Sequence, residues 1–126
     1  MQSLIDQKWQ DFTVIVVSDS ATYMPPFAEL SALQGRYVHV IRSGVPGPAE
    51  GRNIGLSLVK SRYIMLLDDD TLEPTHLDAL ARSIGADEPE SLCCDFKVCH
   101  EDRTTHPPRT TSIESLRIGD VDSVYC

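Results

Sequence analysis

Residues 1–85 alternate between short apolar runs and segments of helical character, and this alternation restricts the fold more than any other feature. Strands are predicted in the β-branched and apolar runs FTVIVV, YVHVI and RYIMLL, at residues 12–17, 37–41 and 62–67. Helices are predicted at residues 1–9, 26–35, 49–60 and 71–85, the last with Pro74 in its first turn and Gly85 just past its end. The pattern predicts an α/β fold whose mostly parallel sheet carries helices on both faces.

The pattern changes after residue 85. A strand with alternating faces is predicted at residues 90–100, followed by a polar loop at 101–111. The final segment, DSVYC at residues 122–126, is typical of the start of another strand. The four cysteines, Cys93, Cys94, Cys99 and Cys126, contain no C-x-x-C pair, so a zinc site is not predicted. Their clustering predicts small buried hydrophobic side chains in a reducing compartment.

The charge balance excludes several classes of partner. The 126 residues suffice for one domain and carry a formal net charge of −8. An acidic surface repels nucleic acids and anionic lipids, so a phosphate-bearing ligand needs arginine, a helix N-terminus or a metal. The sequence has no apolar run of about 20 residues and no signal-peptide pattern at its start. We therefore expect a cytoplasmic protein, with peripheral association with the membrane as the alternative.

Polar residues follow the predicted strands at the carboxyl edge of the sheet. Asp19 comes after the first strand, and Asp68, Asp69 and Asp70 come after the third. Arg52 lies in the predicted first turn of the helix that starts near residue 49, beside Gly51 and near Gly55. Because parallel strands end at the same edge, these residues are expected to converge where α/β sheets bind ligands.

The three consecutive aspartates favour a divalent-metal site. In an extended segment, Asp68 and Asp70 point to one side and Asp69 points away. Two carboxylates suit Mg²⁺ or Mn²⁺ when phosphate oxygens and water fill the remaining positions. The alternative is an acidic turn that caps the following helix.

Arg52 and Asp19 each have two interpretations. Arg52 is either a phosphate contact, helped by close approach to the glycine backbone, or a solvated helix arginine. Asp19 either caps the next segment or accepts a hydrogen bond from a nucleobase, and the pattern alone favours capping.

Four segments in order make the chain resemble the family 2 glycosyltransferases: QSLIDQKWQDFTVIVVSDS, AEGRNIGLSLVKSRYIMLLDDD, TLEP and RIGDVDSVYC. The resemblance implies a GT-A fold, a Rossmann-like nucleotide-sugar domain. It implies that Asp19 contacts the nucleobase, that Arg52 lies at the nucleotide site, and that Asp68 and Asp70 form the D-x-D motif. Asp69 is included in the nucleotide-sugar site, and Asp70 with Asp68 would hold Mg²⁺ or Mn²⁺.

The implied reaction transfers a sugar from a UDP-type or GDP-type donor to the hydroxyl of a saccharide or lipid-linked acceptor, with inversion, as in polysaccharide biosynthesis. On this basis the chain is one partial domain over residues 1–126. Residues 1–85 form the nucleotide-sugar-binding part, and residues 86–126 start the acceptor side. Both monomers and homo-oligomers are compatible with the pattern.

Departures from the family pattern leave alternatives open. Residues 18–21 read SDSA where the family usually has Asp-Asp-Gly-Ser. The family's first strand, normally just before residue 2, is missing, and the chain ends before the region of the acidic general base. We therefore expect a domain truncated at both ends, and no catalytic residue is assigned. The alternatives are an inert fragment, a nucleotide-sugar-binding module, or a haloacid-dehalogenase-like phosphatase, which also ends a strand in D-x-D.

Overall fold

A computed structural model describes residues 1–19, 27–68, 70–102, 104 and 109–116. The chain divides into two compact units, Met1–Ser83 and Ile84–Cys126. This division falls near the boundary predicted after residue 85. The roles predicted for the two parts remain predictions.

The first unit is built on a pair of parallel strands. Its elements are α1 (Gln2–Ile5), β1 (Val14–Ser18), α2 (Phe27–Ala32), β2 (Tyr37–Ile41) and α3 (Pro48–Ser57), and α4 (His76–Asp87) begins in it. Strand β1 pairs with β2 in parallel, from Val14 opposite Tyr37 to Ser18 opposite Ile41. The carboxyl ends of both strands therefore lie side by side, as the sequence predicts for this part of the sheet.

The apolar core of this unit lies at its helices. Leu30 and Leu33 are fully buried, and Leu4 and Leu77 nearly so. Helix α1 packs against α2, and α3 packs against β1. Helix α2 is followed by Gly35 with φ +81°, a left-handed conformation that glycine adopts without strain.

The prediction of a strand at residues 62–67 is wrong. Residues 63–68 form neither strand nor helix, and Ile64 and Leu66 expose 50% and 59% of their surface. Among the described residues, no strand pairs with this segment. An extended segment needs a hydrogen-bonded neighbour to become a strand, because its N–H and C=O groups are otherwise left to water. Irregular backbone therefore leads to Asp68 and Asp70, and the expected alternation of their side chains does not follow from strand geometry.

Helix α4 starts later than predicted and extends further. Pro74 precedes its first residue, His76, and lies in a turn outside the helix. Gly85 lies within the helix, which continues to Asp87. The tolerance of a helix for a single glycine, at about 1 kcal/mol relative to alanine, accounts for the wrong C-terminal boundary.

The second unit contains an antiparallel pair of strands. Strand β3 (Phe96–Asp102) pairs with β4 (Arg109–Leu116), from Phe96 opposite Leu116, with an irregularity between His100 and Glu101. Strand β3 begins later than predicted, and β4 occupies the end of the predicted loop. The predicted strand start at residues 122–126 lies outside the described residues.

The predicted burial of the cysteines is wrong. Cys93 and Cys99 are exposed and Cys94 is half-buried. Cys93 and Cys94 precede β3, and Cys99 lies in β3, which belongs to a two-stranded sheet. Cys126 lies outside the described residues. Within the part of the chain that the structure describes, each helix is too short or too polar to cross a bilayer.

Candidate functional site at the strand ends

Asp19 immediately follows β1, and both oxygens of its carboxylate accept hydrogen bonds. Oδ1 accepts from Arg42 Nη1 at 2.6 Å, and Oδ2 accepts from the backbone N–H of Gly47 at 3.1 Å. Gly47 is the N-cap residue of α3, where backbone N–H groups have no partner within the helix. Asp19 therefore holds the start of α3 from the end of a strand, and its negative charge suits the helix dipole there.

Arg42, which the sequence interpretation missed, organises the loop between β2 and α3. Its backbone N–H donates to Ser18 O at 3.0 Å and so continues the pairing of β1 with β2. Its guanidinium also donates to Val45 O at 2.8 Å, to Gly47 O at 3.4 Å and to Glu50 Oε2. The side chain is only 4% exposed. The available signal was an arginine directly after a predicted strand, at the edge where ligands bind.

Arg52 and Asp68 are brought together by α3 and the irregular segment. Arg52 Nη2 lies 3.4 Å from Asp68 Oδ2, and the two side chains are 49% and 75% exposed. Helix α3 begins at Pro48, so Arg52 lies in its second turn and not in the predicted first turn. The pair is open to solvent, which leaves the guanidinium and the carboxylate accessible to a ligand.

The two glycines near Arg52 face β1. A β-carbon at Gly51 or Gly55 would lie 4.0 Å or 3.7 Å from the methyl groups of Val17 in β1. Both distances are ordinary van der Waals contacts, so these residues place α3 against β1 without excluding a β-carbon. The close approach of a phosphate at this point stays a prediction.

Asp70 is exposed, and Asp69 lies outside the described residues. Asp68 and Asp70 thus provide two accessible carboxylates two residues apart in the chain. Among the described residues, no group of three His, Cys, Asp or Glu side chains could enclose a metal ion. The residues still suit Mg²⁺ or Mn²⁺ in a complex with a phosphate ligand, because such ions are usually held by one or two carboxylates and by phosphate oxygens.

The segment after Asp70 is anchored by the buried side chain of Gln7. Gln7 Nε2 donates to Glu73 O at 2.8 Å and to Ser3 O at 2.9 Å. Gln7 Oε1 accepts from Leu77 N–H at 3.0 Å, and Lys8 N–H donates to Pro74 O at 2.9 Å. The chain that leaves the aspartates is therefore tied to the end of α1.

The chain matches the model of glycosyl transferase family 2 over residues 1–122. The chain belongs to glycosyl transferase family 2. No curated protein and no solved structure gives a significant match.

Membership of glycosyl transferase family 2 confirms the resemblance predicted from the sequence, and the roles of the individual site residues stay predictions. It accords with the α/β character of the first unit, which has a small parallel sheet and helices. It also favours a transferase over the phosphatase alternative, for which no comparison gives support.

Proposed function

We propose that this chain binds a nucleotide-diphosphate-sugar of UDP or GDP type and transfers the sugar to an acceptor hydroxyl with the help of Mg²⁺ or Mn²⁺. The observation that carries the proposal is the solvent-open contact between Arg52 and Asp68 in a family 2 chain, next to a second exposed carboxylate, Asp70. A site that binds diphosphate together with a cation needs both signs of charge in reach of solvent.

The roles follow from the charges of these residues. Asp70 and Asp68 would hold the cation, and Arg52 would donate hydrogen bonds to the diphosphate oxygens. A bound divalent cation stabilises the charge that develops on the departing nucleoside diphosphate. The contact of Arg52 with Asp68 is exposed, so both groups can change to ligand contacts at a low free-energy cost.

Asp19 is proposed to accept a hydrogen bond from the nucleobase. A carboxylate has roughly four acceptor sites, of which Arg42 and Gly47 occupy two. The Asp19 side chain is 37% exposed, so the remaining lone pairs are accessible to an N–H group of a base. Asp69 belongs to the proposed nucleotide-sugar site by its position alone.

The broader proposal keeps the GT-A architecture, with residues 1–85 as the nucleotide-sugar part and residues 86–126 as the start of the acceptor side. The acceptor would be a saccharide or a lipid-linked sugar in polysaccharide biosynthesis. The proposed location is the cytoplasm, with peripheral contact with the membrane as the alternative, and the protein would act as a monomer or a homo-oligomer.

Nucleotide-sugar binding without transfer is the second candidate function. Among the described residues around α3, the carboxylates of Asp19, Glu50 and Asp68 are each paired with an arginine. A general base must be free to take a proton from the acceptor hydroxyl, and each of these three carboxylates already accepts a hydrogen bond from an arginine. This observation favours a binding module.

Calorimetric titration of UDP and GDP, with and without Mn²⁺, tests the proposal. The wild type should bind one of them with Mn²⁺, and Asp70→Asn should weaken this binding at least about tenfold because one cation ligand is lost. Asp11→Asn, which changes an exposed carboxylate on the loop before β1, is the matched control and should leave the affinity unchanged. Equal effects of the two substitutions would refute the metal role.

A second measurement separates the two candidates. The nucleoside diphosphate released from UDP-sugars and GDP-sugars is followed in the presence of a saccharide acceptor. Acceptor-dependent release identifies a transferase, whereas tight binding without release identifies a binding module.

A further inference from the structure

Arg42 differs from Arg52, the other arginine described at the site, because its charge is buried and surrounded by acceptors from three segments. These acceptors are Asp19 after β1, the carbonyls of Val45 and Gly47 in the loop, and Glu50 in α3. The Arg42 Nε–H group is buried and has no hydrogen-bond partner among the described residues. The guanidinium therefore holds a fixed position that a solvated arginine would not have.

This arrangement fixes the carboxylate of Asp19. One oxygen is held by Arg42 Nη1 and the other by the N–H of Gly47, so rotation of the carboxylate would break two hydrogen bonds. Arg42 Nη1 also donates to the carbonyl oxygen of Gly47. Arg42 therefore positions both groups that donate to Asp19, its own Nη1 and the N–H of Gly47. A lysine at this position would keep the charge but lose the planar fork that reaches several acceptors at once.

We propose that Arg42 is a positioning residue for recognition of the donor nucleoside. It orients Asp19 so that the remaining lone pairs of the carboxylate meet the N–H group of the base, and it does not touch the donor itself. This inference rests on the proposed function, because it names the part of the donor that the Arg42–Asp19 pair serves. A preoriented acceptor binds without first losing its rotational freedom, so disorder of Asp19 would reduce nucleoside affinity.

The test compares nucleotides with inorganic diphosphate as probes. Titrations with Mn²⁺ are carried out on the wild type, Arg42→Lys, Asp19→Asn and the double variant. Arg36→Lys is the matched control, because Arg36 directly precedes β2 whereas Arg42 directly follows it. Arg36 also donates hydrogen bonds through both Nη atoms, in its case to Gln10. A melting curve for each variant reports whether it is folded.

Arg42→Lys and Asp19→Asn should each weaken binding of the preferred nucleotide about tenfold, the effect of losing one hydrogen bond to a charged group. Binding of inorganic diphosphate should change less than about twofold, because the base contact is absent from that probe. The double variant should be no weaker than the weaker single variant, since both changes remove the same contact. Arg36→Lys should match the wild type.

Unchanged nucleotide affinity in Arg42→Lys would overturn this inference, and so would an equal loss for inorganic diphosphate, which is the result of a merely structural role. If Arg42→Lys does not fold, Glu50→Gln loosens Arg42 from the exposed side, and an unchanged nucleotide affinity there would overturn the inference as well. A wild type that binds neither nucleotide would refute the proposed function itself, and this inference with it. That outcome is distinct from a wild type that binds while Arg42→Lys makes no difference.

Discussion

Two arginine–aspartate pairs lie at α3, and their arginines are in opposite environments: Arg42 is buried, whereas Arg52 is open to solvent. In the buried pair, Arg42 and Asp19, the closest atoms are 2.6 Å apart and the arginine side chain is almost fully buried. In the exposed pair, Arg52 and Asp68, they are 3.4 Å apart and both side chains face solvent. Asp19 is joined to the N-cap of α3, and Arg52 belongs to the second turn of the helix.

The Arg42–Asp19 contact stabilises the geometry of the site, whereas the Arg52–Asp68 contact is one that a ligand can replace. A buried charge that loses its partner destabilises the fold strongly, whereas an exposed ion pair contributes about 0–1 kcal/mol. The buried pair is therefore suited to orientation, and the exposed pair is suited to exchange its mutual contact for a diphosphate and a cation.

The largest expected effect distinguishes the two arginines by stability. Arg42→Ala should lower the free energy of unfolding by about 2–4 kcal/mol, because the loop carbonyls lose their donors and Asp19, which is partly solvated, loses its cation. Arg52→Ala should lower it by no more than about 1 kcal/mol. Urea denaturation measures both, and equal losses would show that the two environments do not differ as described.

A second prediction concerns Gln7, which anchors the segment that follows the exposed pair. Gln7→Ala should lower the free energy of unfolding by about 2 kcal/mol, since a buried amide that makes three hydrogen bonds is removed and Leu77 N–H loses its acceptor. Gln2→Ala is the control, because Gln2 is exposed and its side-chain amide donates across one turn to Asp6. Similar denaturation midpoints for the two variants would argue against the anchor.

A third, smaller effect tests the helix that both pairs share. Gly55→Ala should raise the free energy of unfolding by about 0.5–1 kcal/mol, because alanine favours the helix and its β-carbon would meet Val17 at an ordinary contact distance. Gly35→Ala, at a left-handed residue, should instead lower it. Thermal melts compare the two, and a destabilised Gly55→Ala would place α3 closer to β1 than the structure does.

The smallest expected effect is the response of the two pairs to salt. A double-mutant cycle for Arg52 and Asp68 should give a coupling free energy of about 0.5 kcal/mol at low salt that approaches zero at high salt. The coupling of Arg42 with Asp19 should persist, because the buried guanidinium is shielded from counterions. If the coupling free energy of Arg52 with Asp68 did not depend on salt, the predicted difference between the exposed and the buried pair would be refuted.

The sequence predicted local features better than pairings. Strand β2 has the predicted bounds, and Asp19 follows β1 as expected, because β-branched runs and the residues after them are local signals. The run RYIMLL has the composition of a strand, but composition does not supply a neighbouring strand, and residues 63–68 have none among the described residues. Strand β4 was missed because polar threonines and serines around Ile113 weaken its alternating pattern.

The candidate site likewise contains residues that local sequence signals identified and one, Arg42, that they did not. Arg52, Asp68 and Asp70 could be selected by position along the chain, and Arg52 contacts Asp68 although the described residues before Asp68 do not form the predicted strand. Arg42 was missed although it directly follows a predicted strand, because its importance comes from the burial of its side chain. Glu50 and the carbonyl of Val45 contact Arg42 in a structure in which α3 packs against β1, and such tertiary contacts leave no local sequence signal.

Paramagnetic broadening of backbone amide signals by Mn²⁺ is the most direct test of whether the site at Arg52, Asp68 and Asp70 binds a nucleoside diphosphate together with a cation. With UDP or GDP present, the strongest broadening should fall on the amides of Arg52, Asp68 and Asp70, and it should weaken when the nucleotide is left out. Mg²⁺ in place of Mn²⁺ is the diamagnetic control. Broadening centred on other carboxylates, such as Glu29 in α2 or Asp78 in α4, or broadening that does not depend on the nucleotide, would contradict the proposed site.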